Sequence, residues 1–170
     1  MPTQHRFRTI LTARLLLEYR EHTLYLLQTP ENGGGYTLPG GKIEGTEFAK
    51  EALIREVFEE IGLILPRKSL KIAHVMYKRL KSTTEIIFFF KARTNVSEII
   101  VKETHKFKQA VWLPNDEPPK RLPAVIKAAM AKIENDKAFS EYPPSEKKEK
   151  VVLKEKKKVV KVVKVKKKSK

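Results

Sequence analysis

Residues Gly41–Leu63 read GKIEGTEFAKEALIREVFEEIGL, and this stretch constrains the chain more than any other. Thr46 offers a hydroxyl to cap a helix, and Glu47 suits the positive end of its dipole. Gly62 supplies the stop. Between them Ala49, Leu53, Val57 and Ile61 recur every four residues and form one apolar stripe. Glu56, Glu59 and Glu60 fall at i, i+3 and i+4, so they project from one side of the same helix. Neighbouring carboxylates repel by a few tenths of a kcal/mol per pair even in water. A hard cation relieves that repulsion, and oxygen-only ligands suit Mg²⁺, or Mn²⁺ in its place.

A solvated acidic face is the ordinary reading of such glutamates. Here the spacing is tighter than that reading requires. The segment fits G-x5-E-x7-R-E-U-x-E-E-x-G-U, with U aliphatic, through Gly41, Glu47, Arg55, Glu56, Val57, Glu59, Glu60, Gly62 and Leu63. Seven fixed residues, each about 1 in 15 by usual composition, coincide on the order of once in 10⁸ starts. Arg55 can fork to a carboxylate, with Glu47 two turns earlier as its expected partner. Gly40-Gly41 lets the backbone approach a metal or phosphate closely.

The rest of the chain supplies a frame. Phe7–Tyr19 and Leu24–Thr29 read as strands joined by a polar turn. Pro30–Gly35 is a turn, and Pro39-Gly40-Gly41 a tight bend. Leu70–Leu80 and Glu85–Ala92 are further strands, the second apolar on both faces through Ile86-Ile87-Phe88-Phe89-Phe90, as a central strand would be. Asn95–Lys108 reads as a loop and Gln109–Leu113 as another strand. Pro118-Pro119 opens a second helix carried by Leu122, Val125, Ile126, Ala129, Met130 and Ile133. Strands and helices mix without regular alternation, which predicts an α/β fold with a mixed sheet and helices on both faces.

Composition limits the chemistry. No Cys is present, so disulfides, thiolate zinc sites and a Cys nucleophile are excluded. The apolar run Ile10–Leu17 is broken by Arg14, and no run reaches the roughly 18–20 residues of a membrane span. No leader is expected, and the chain reads as soluble and cytoplasmic. Net charge is +16, of which residues 145–170 carry 13 Lys and 3 Glu. Dense like charge opposes compaction, so residues 143–170 are expected to form a disordered basic arm beyond a domain at 1–142. Such an arm suits nonspecific contact with nucleic acid or an anionic surface, or simply solvates the protein. It has no aromatic residue for base stacking.

The spacing resembles the Nudix box, and Leu38-Pro39-Gly40 is similar to that family's lead-in. Weaker similarity extends over roughly Phe7–Lys137. The resemblance implies a Nudix-type α/β/α sandwich and hydrolysis of a nucleoside diphosphate linked to another moiety, using Mg²⁺. It implies that Glu56, Glu59 and Glu60 hold metal, joined by the Gly40 carbonyl. It also implies a general base, either Glu56 or an acidic loop residue, with Glu103 the first candidate, Glu98 the second and His105 a third. Gly40, Gly41, Lys42 and Tyr36 are candidate substrate contacts; Tyr36, Phe89 and Trp112 are stacking candidates that also suit a core. A nucleoside triphosphate is the expected substrate. Dinucleoside polyphosphates, ADP-ribose and an RNA 5′ end are alternatives, as is a catalytically silent nucleic-acid-binding module. A homodimer stays open.

Overall fold

The computed structural model describes residues 9–143. Seven strands and two helices follow one another as β1 (Thr9–Tyr19), β2 (His22–Gln28), β3 (Tyr36–Thr37), α1 (Ala49–Ile61), β4 (Lys71–Arg79), β5 (Thr84–Arg93), β6 (Phe107–Pro114), α2 (Ala124–Glu134) and β7 (Phe139–Tyr142). The sheet is mixed, as expected. β1 runs parallel to β5, β5 antiparallel to β4, and β4 parallel to β7. β5 is central, which explains its apolar run on both faces.

Two clusters of buried side chains lie on the two faces. One joins Leu15, Leu17, Phe90 and Ala92 to Leu53, Val57 and Ile61 of α1. The other joins Leu16, Ile87, Phe89 and Met76 to Ile126, Ala129 and Met130 of α2. Alternate residues of β1 and β5 therefore feed opposite layers, the period-two consequence of the pleat. The helices cover both faces, giving the expected sandwich.

A splay between β1 and β2 creates the place for a site. They pair only at Glu18–Thr23 and Tyr19–His22. Towards the other end the wedge is filled by the segment after β3. Tyr36 and Thr37 pair with β2, and Pro39, Gly41 and Ile43 then bond along β1.

Four local expectations differ from the structure. α1 begins at Ala49, not at Thr46. Phe48 takes the cap position, and its amide is satisfied by Glu51 Oε2 at 3.0 Å. A reaching glutamate thus replaces a hydroxyl cap. α2 begins at Ala124, after Pro123, rather than at Pro118-Pro119. The residue before a proline is pushed out of helical geometry, so Leu122 stays outside the helix, where it is buried. The strand expected at Gln109–Leu113 runs from Phe107 to Pro114. β7 was not expected, because four residues carry too little pattern. Among the described residues no helix is long and apolar enough to cross a membrane. Most of the basic arm lies outside the described residues.

Candidate active site

The tight bend carries the first half of the site. Gly41 O accepts from Ala13 N and Pro39 O from Leu15 N, both at 2.9 Å, so the bend runs as an extra strand on β1. Gly40 has φ +119, and a Cβ there would run into the Ala13 carbonyl and the Leu53 side chain. A Cβ on Gly41 would run into the carboxylate of Glu56. Only glycine lets bend and helix touch.

From α1, Glu60 reaches back to that bend. Gly40 N donates to Glu60 Oε2 at 2.8 Å. Glu60 is 3% exposed, and burial pushes its pKa up to about 8. The Gly40 amide and the Arg14 guanidinium oppose that rise; Glu56 and Glu103 add to it. Glu56 sits half-buried under Gly41. Glu59, two residues before the helix end, is exposed.

Arg55 organises the remaining carboxylates. Its guanidinium pairs with Glu47 at 2.8 Å, with Glu56 at 3.1 Å and with Glu59 at 3.1 Å. It also donates to Lys42 O at 3.2 Å. Its bonds to Glu47 hold its pKa above the ordinary guanidinium value, and they hold Glu47 below the usual carboxylate value. The expected Arg55–Glu47 pair is therefore present, and it ties the loop before α1 to the helix.

Glu103 comes from the loop before β6. Lys102 N donates to Glu60 O at 2.8 Å, which pins this loop to the end of α1. Lys106 pairs with Glu103 Oε1 at 2.8 Å. Glu103 Oε2 is buried and has no hydrogen-bond partner. His105 is exposed and 4.0 Å from Glu103 Oε1. Glu98 is exposed.

Sequence reasoning missed Arg14. Its Nη1 donates to Leu38 O at 3.2 Å and to Gly40 O, bracketing the bend from inside. Burial lowers its pKa, while Glu60, Glu85 and Glu56 raise it. The available signal was a charged residue interrupting the apolar run of β1. On the same sheet face Thr12 Oγ1 donates to Glu85 Oε1 at 3.1 Å, and Lys78 pairs with Glu85 Oε2 at 2.8 Å.

The stacking candidates divide. Phe89 is fully buried against His74, so it belongs to the core. Trp112 packs against Tyr19 and donates from Nε1 to Ser97 O at 2.7 Å. Tyr36 is half-buried beside the α2 cluster. Lys42 is exposed next to Gly41.

The donor set is oxygen only: Glu56, Glu59, Glu60, Glu103 and the Gly40 carbonyl. An orphaned buried carboxylate oxygen beside a buried Glu60 suits a hard divalent cation. Among the described residues, no three carboxylate, imidazole or thiolate side chains are already gathered as a metal cluster. Arg55 spans Glu56 and Glu59, and Glu60 is turned to the Gly40 amide.

Comparison with known proteins bears on this arrangement. A family model described as the NUDIX domain matches residues 9–133. Three solved structures are similar in fold. The MutT NUDIX hydrolase from Burkholderia pseudomallei is 22% identical, covers 73% of this chain and 97% of its own, and superposes with a TM-score of 0.63. The MutT protein from Methanosarcina mazei Go1 is 22% identical over 77% of this chain and 96% of its own, with a TM-score of 0.66. The E. coli ORF135 protein is 17% identical over 76% and 91%, with a TM-score of 0.63. No curated protein matches the chain.

Proposed function

The chain belongs to the NUDIX family, whose members are in general pyrophosphohydrolases that use divalent metal ions, and from that premise we propose a Mg²⁺-dependent hydrolase of a nucleoside diphosphate linked to another moiety, with a nucleoside triphosphate as substrate. One observation carries this reading. A buried glutamate of α1 meets the amide of a bend that only glycine can make, with Glu56 and the orphaned oxygen of Glu103 beside it. Carboxylates so close to one another cannot receive a polyphosphate without cations between them.

Glu56, Glu59, Glu60 and the Gly40 carbonyl are the groups that would hold the metal. The chemistry a divalent ion supplies at such a site is neutralisation of the pyrophosphate charge and acidification of water. The chain's own residues do the rest. Arg55 fixes Glu56 and Glu59 by its fork and keeps the loop at Glu47 against the helix. Gly40 and Gly41, without side chains, let the phosphates lie close to the backbone. Lys42 meets a phosphate from the exposed side. Glu103 Oε2 accepts the proton of the attacking water, which displaces the leaving phosphate in line.

Incubation of the full chain with Mg²⁺ and a panel of nucleoside diphosphate derivatives, with products identified by mass, tests the reading. Cleavage at a phosphoanhydride is expected, with the triphosphates turned over best. Glu59→Gln is expected to lower turnover by about 100-fold or more while the unfolding midpoint holds. Retention of most activity by that variant would show that the metal assignment is wrong.

A further inference from the structure

The hydrolase reading gives no task to two residues that meet at the end of α1. Phe58 is exposed on that helix, between Glu56 and Glu59 in sequence. The Lys102 ammonium lies 4.4 Å from the centre of its ring, inside the range at which a cation is drawn to an aromatic face. The stem of Lys102 runs over Gly62, where a Cβ would collide with Lys102 Cε. Its backbone N–H donates to Glu60 O at 2.8 Å. Lys102 is thus held to the last turn of α1 by its amide, its stem and its charge. Gly62, at φ +69, both ends the helix and leaves room for that stem.

The next residue is Glu103. On its far side Lys106 N and Phe107 N both donate to Glu103 O at 2.9 Å, and Phe107 is buried in the α1 layer. On its near side residues 94–101 form neither helix nor strand and reach the core only through the partly buried Ile99 and Val101. The clasp at Lys102 stands between that irregular segment and Glu103. Resting on the hydrolase reading with Glu103 as its base, we propose that Lys102 and Phe58 are positioning residues, whose clasp holds the free oxygen of Glu103 beside the glutamates of α1. The helix that carries the metal-holding groups and the loop that carries the base then move as one body. A small misplacement of such a base is costly, so a contact outside the chemistry acts on turnover. The ammonium of Lys102 is engaged with the ring, so its part is to fix the loop rather than to meet a phosphate.

The test uses full-length variants, assayed with Mg²⁺ on a nucleoside triphosphate. Lys102→Ala is expected to lower kcat about tenfold with KM within about threefold. Phe58→Leu, which alters no charge, should do the same, and the double variant should lose no more than Lys102→Ala alone, as two ends of one contact do. Lys102→Arg keeps a cation for the ring and should restore kcat to within about threefold of the parent. In a Glu103→Gln background Lys102→Ala should change kcat less than about twofold, because nothing is left to position. Without metal, amide exchange at Lys102 should quicken about fivefold in Phe58→Leu, the worth of one such contact. A raised KM with kcat held would make Lys102 a substrate contact and overturn the positioning role. Full kcat in Phe58→Leu, or a further tenfold loss in the Glu103→Gln background, would overturn it too and leave the hydrolase standing. Full kcat in Glu103→Gln alone would remove the base, and the clasp's task with it. Failure of the parent chain to cleave any nucleotide would overturn the hydrolase reading itself.

Discussion

The Gly40 amide donates to Glu60 Oε2 at 2.8 Å, so one buried carboxylate locks the tight bend to the helix that carries the glutamates. The same burial lifts the Glu60 pKa from 4.5 to about 8. Between those values the folded chain holds a proton that the unfolded chain has released. Stability of the metal-free protein therefore falls as pH rises through that window. A divalent ion at Glu60 competes with this proton, so its affinity should rise by up to about tenfold per pH unit between roughly pH 6 and 8. Titration calorimetry with Mg²⁺ in buffers of different ionisation heat would register the released proton. A dissociation constant flat across that range would remove Glu60 from the metal site.

Gly41 and Gly45 make a matched pair of glycines. A Cβ on Gly41 meets the Glu56 carboxylate, whereas one on Gly45 meets nothing within 4 Å. Gly45 has φ +53, so alanine there carries only backbone strain, about 1 kcal/mol. Gly41→Ala should lower kcat/KM by about 100-fold by displacing Glu56 from its position. Gly45→Ala should lower the unfolding midpoint by a few degrees and leave kcat/KM within about twofold. Equal losses of activity in the two variants would show that the Gly41–Glu56 approach has no role in turnover.

Arg14 donates to two carbonyls of the bend and lies near Glu60, Glu85 and Glu56. Arg14→Met keeps the stem but leaves the Leu38 and Gly40 carbonyls without that donor. The expected cost is about 2–3 kcal/mol, or roughly 6 °C in the unfolding midpoint. Denaturant unfolding of the variant measures it. A change under about 0.5 kcal/mol would place the bend's stability elsewhere, in the bonds to Ala13 and Leu15.

How much of this was legible in the sequence depended on whether the signal was local. The stripe Leu53, Val57 and Ile61, the stop at Gly62 and the Arg55–Glu47 pair all act within one helix or its flanks, and spacing alone exposes them. The central position of Phe88-Phe89-Phe90 followed from an apolar run too long for a half-exposed strand. The start of α1 was misplaced because Thr46 offers a cap in principle, while Glu51 supplies one in fact. Arg14 was invisible as a site residue. It reaches the bend only through the wedge between β1 and β2, a tertiary feature that no window of sequence contains. Glu103 was reachable only as one acidic loop residue among several. Its distinction from Glu98 lies in the bond of Lys102 N to Glu60 O, which draws that loop onto α1.

Glu103 offers the sharpest test of the chemistry. One of its oxygens is paired with Lys106 at 2.8 Å, and the other is buried without a partner. That oxygen has no hydrogen bond to break in accepting a proton. Glu103→Gln retains an oxygen for Lys106 and nearly the same volume, so the fold and the loop should hold. The amide cannot accept a proton, however. If Glu103 is the general base, kcat should fall by about 10²–10⁴-fold with KM within about threefold. A parallel Mg²⁺ titration separates this from a ligand role, because a base can be lost without weakening the metal, whereas a ligand cannot. If kcat fell less than about tenfold, the proton would have to go to Glu56, the carboxylate nearest the bend that is not buried.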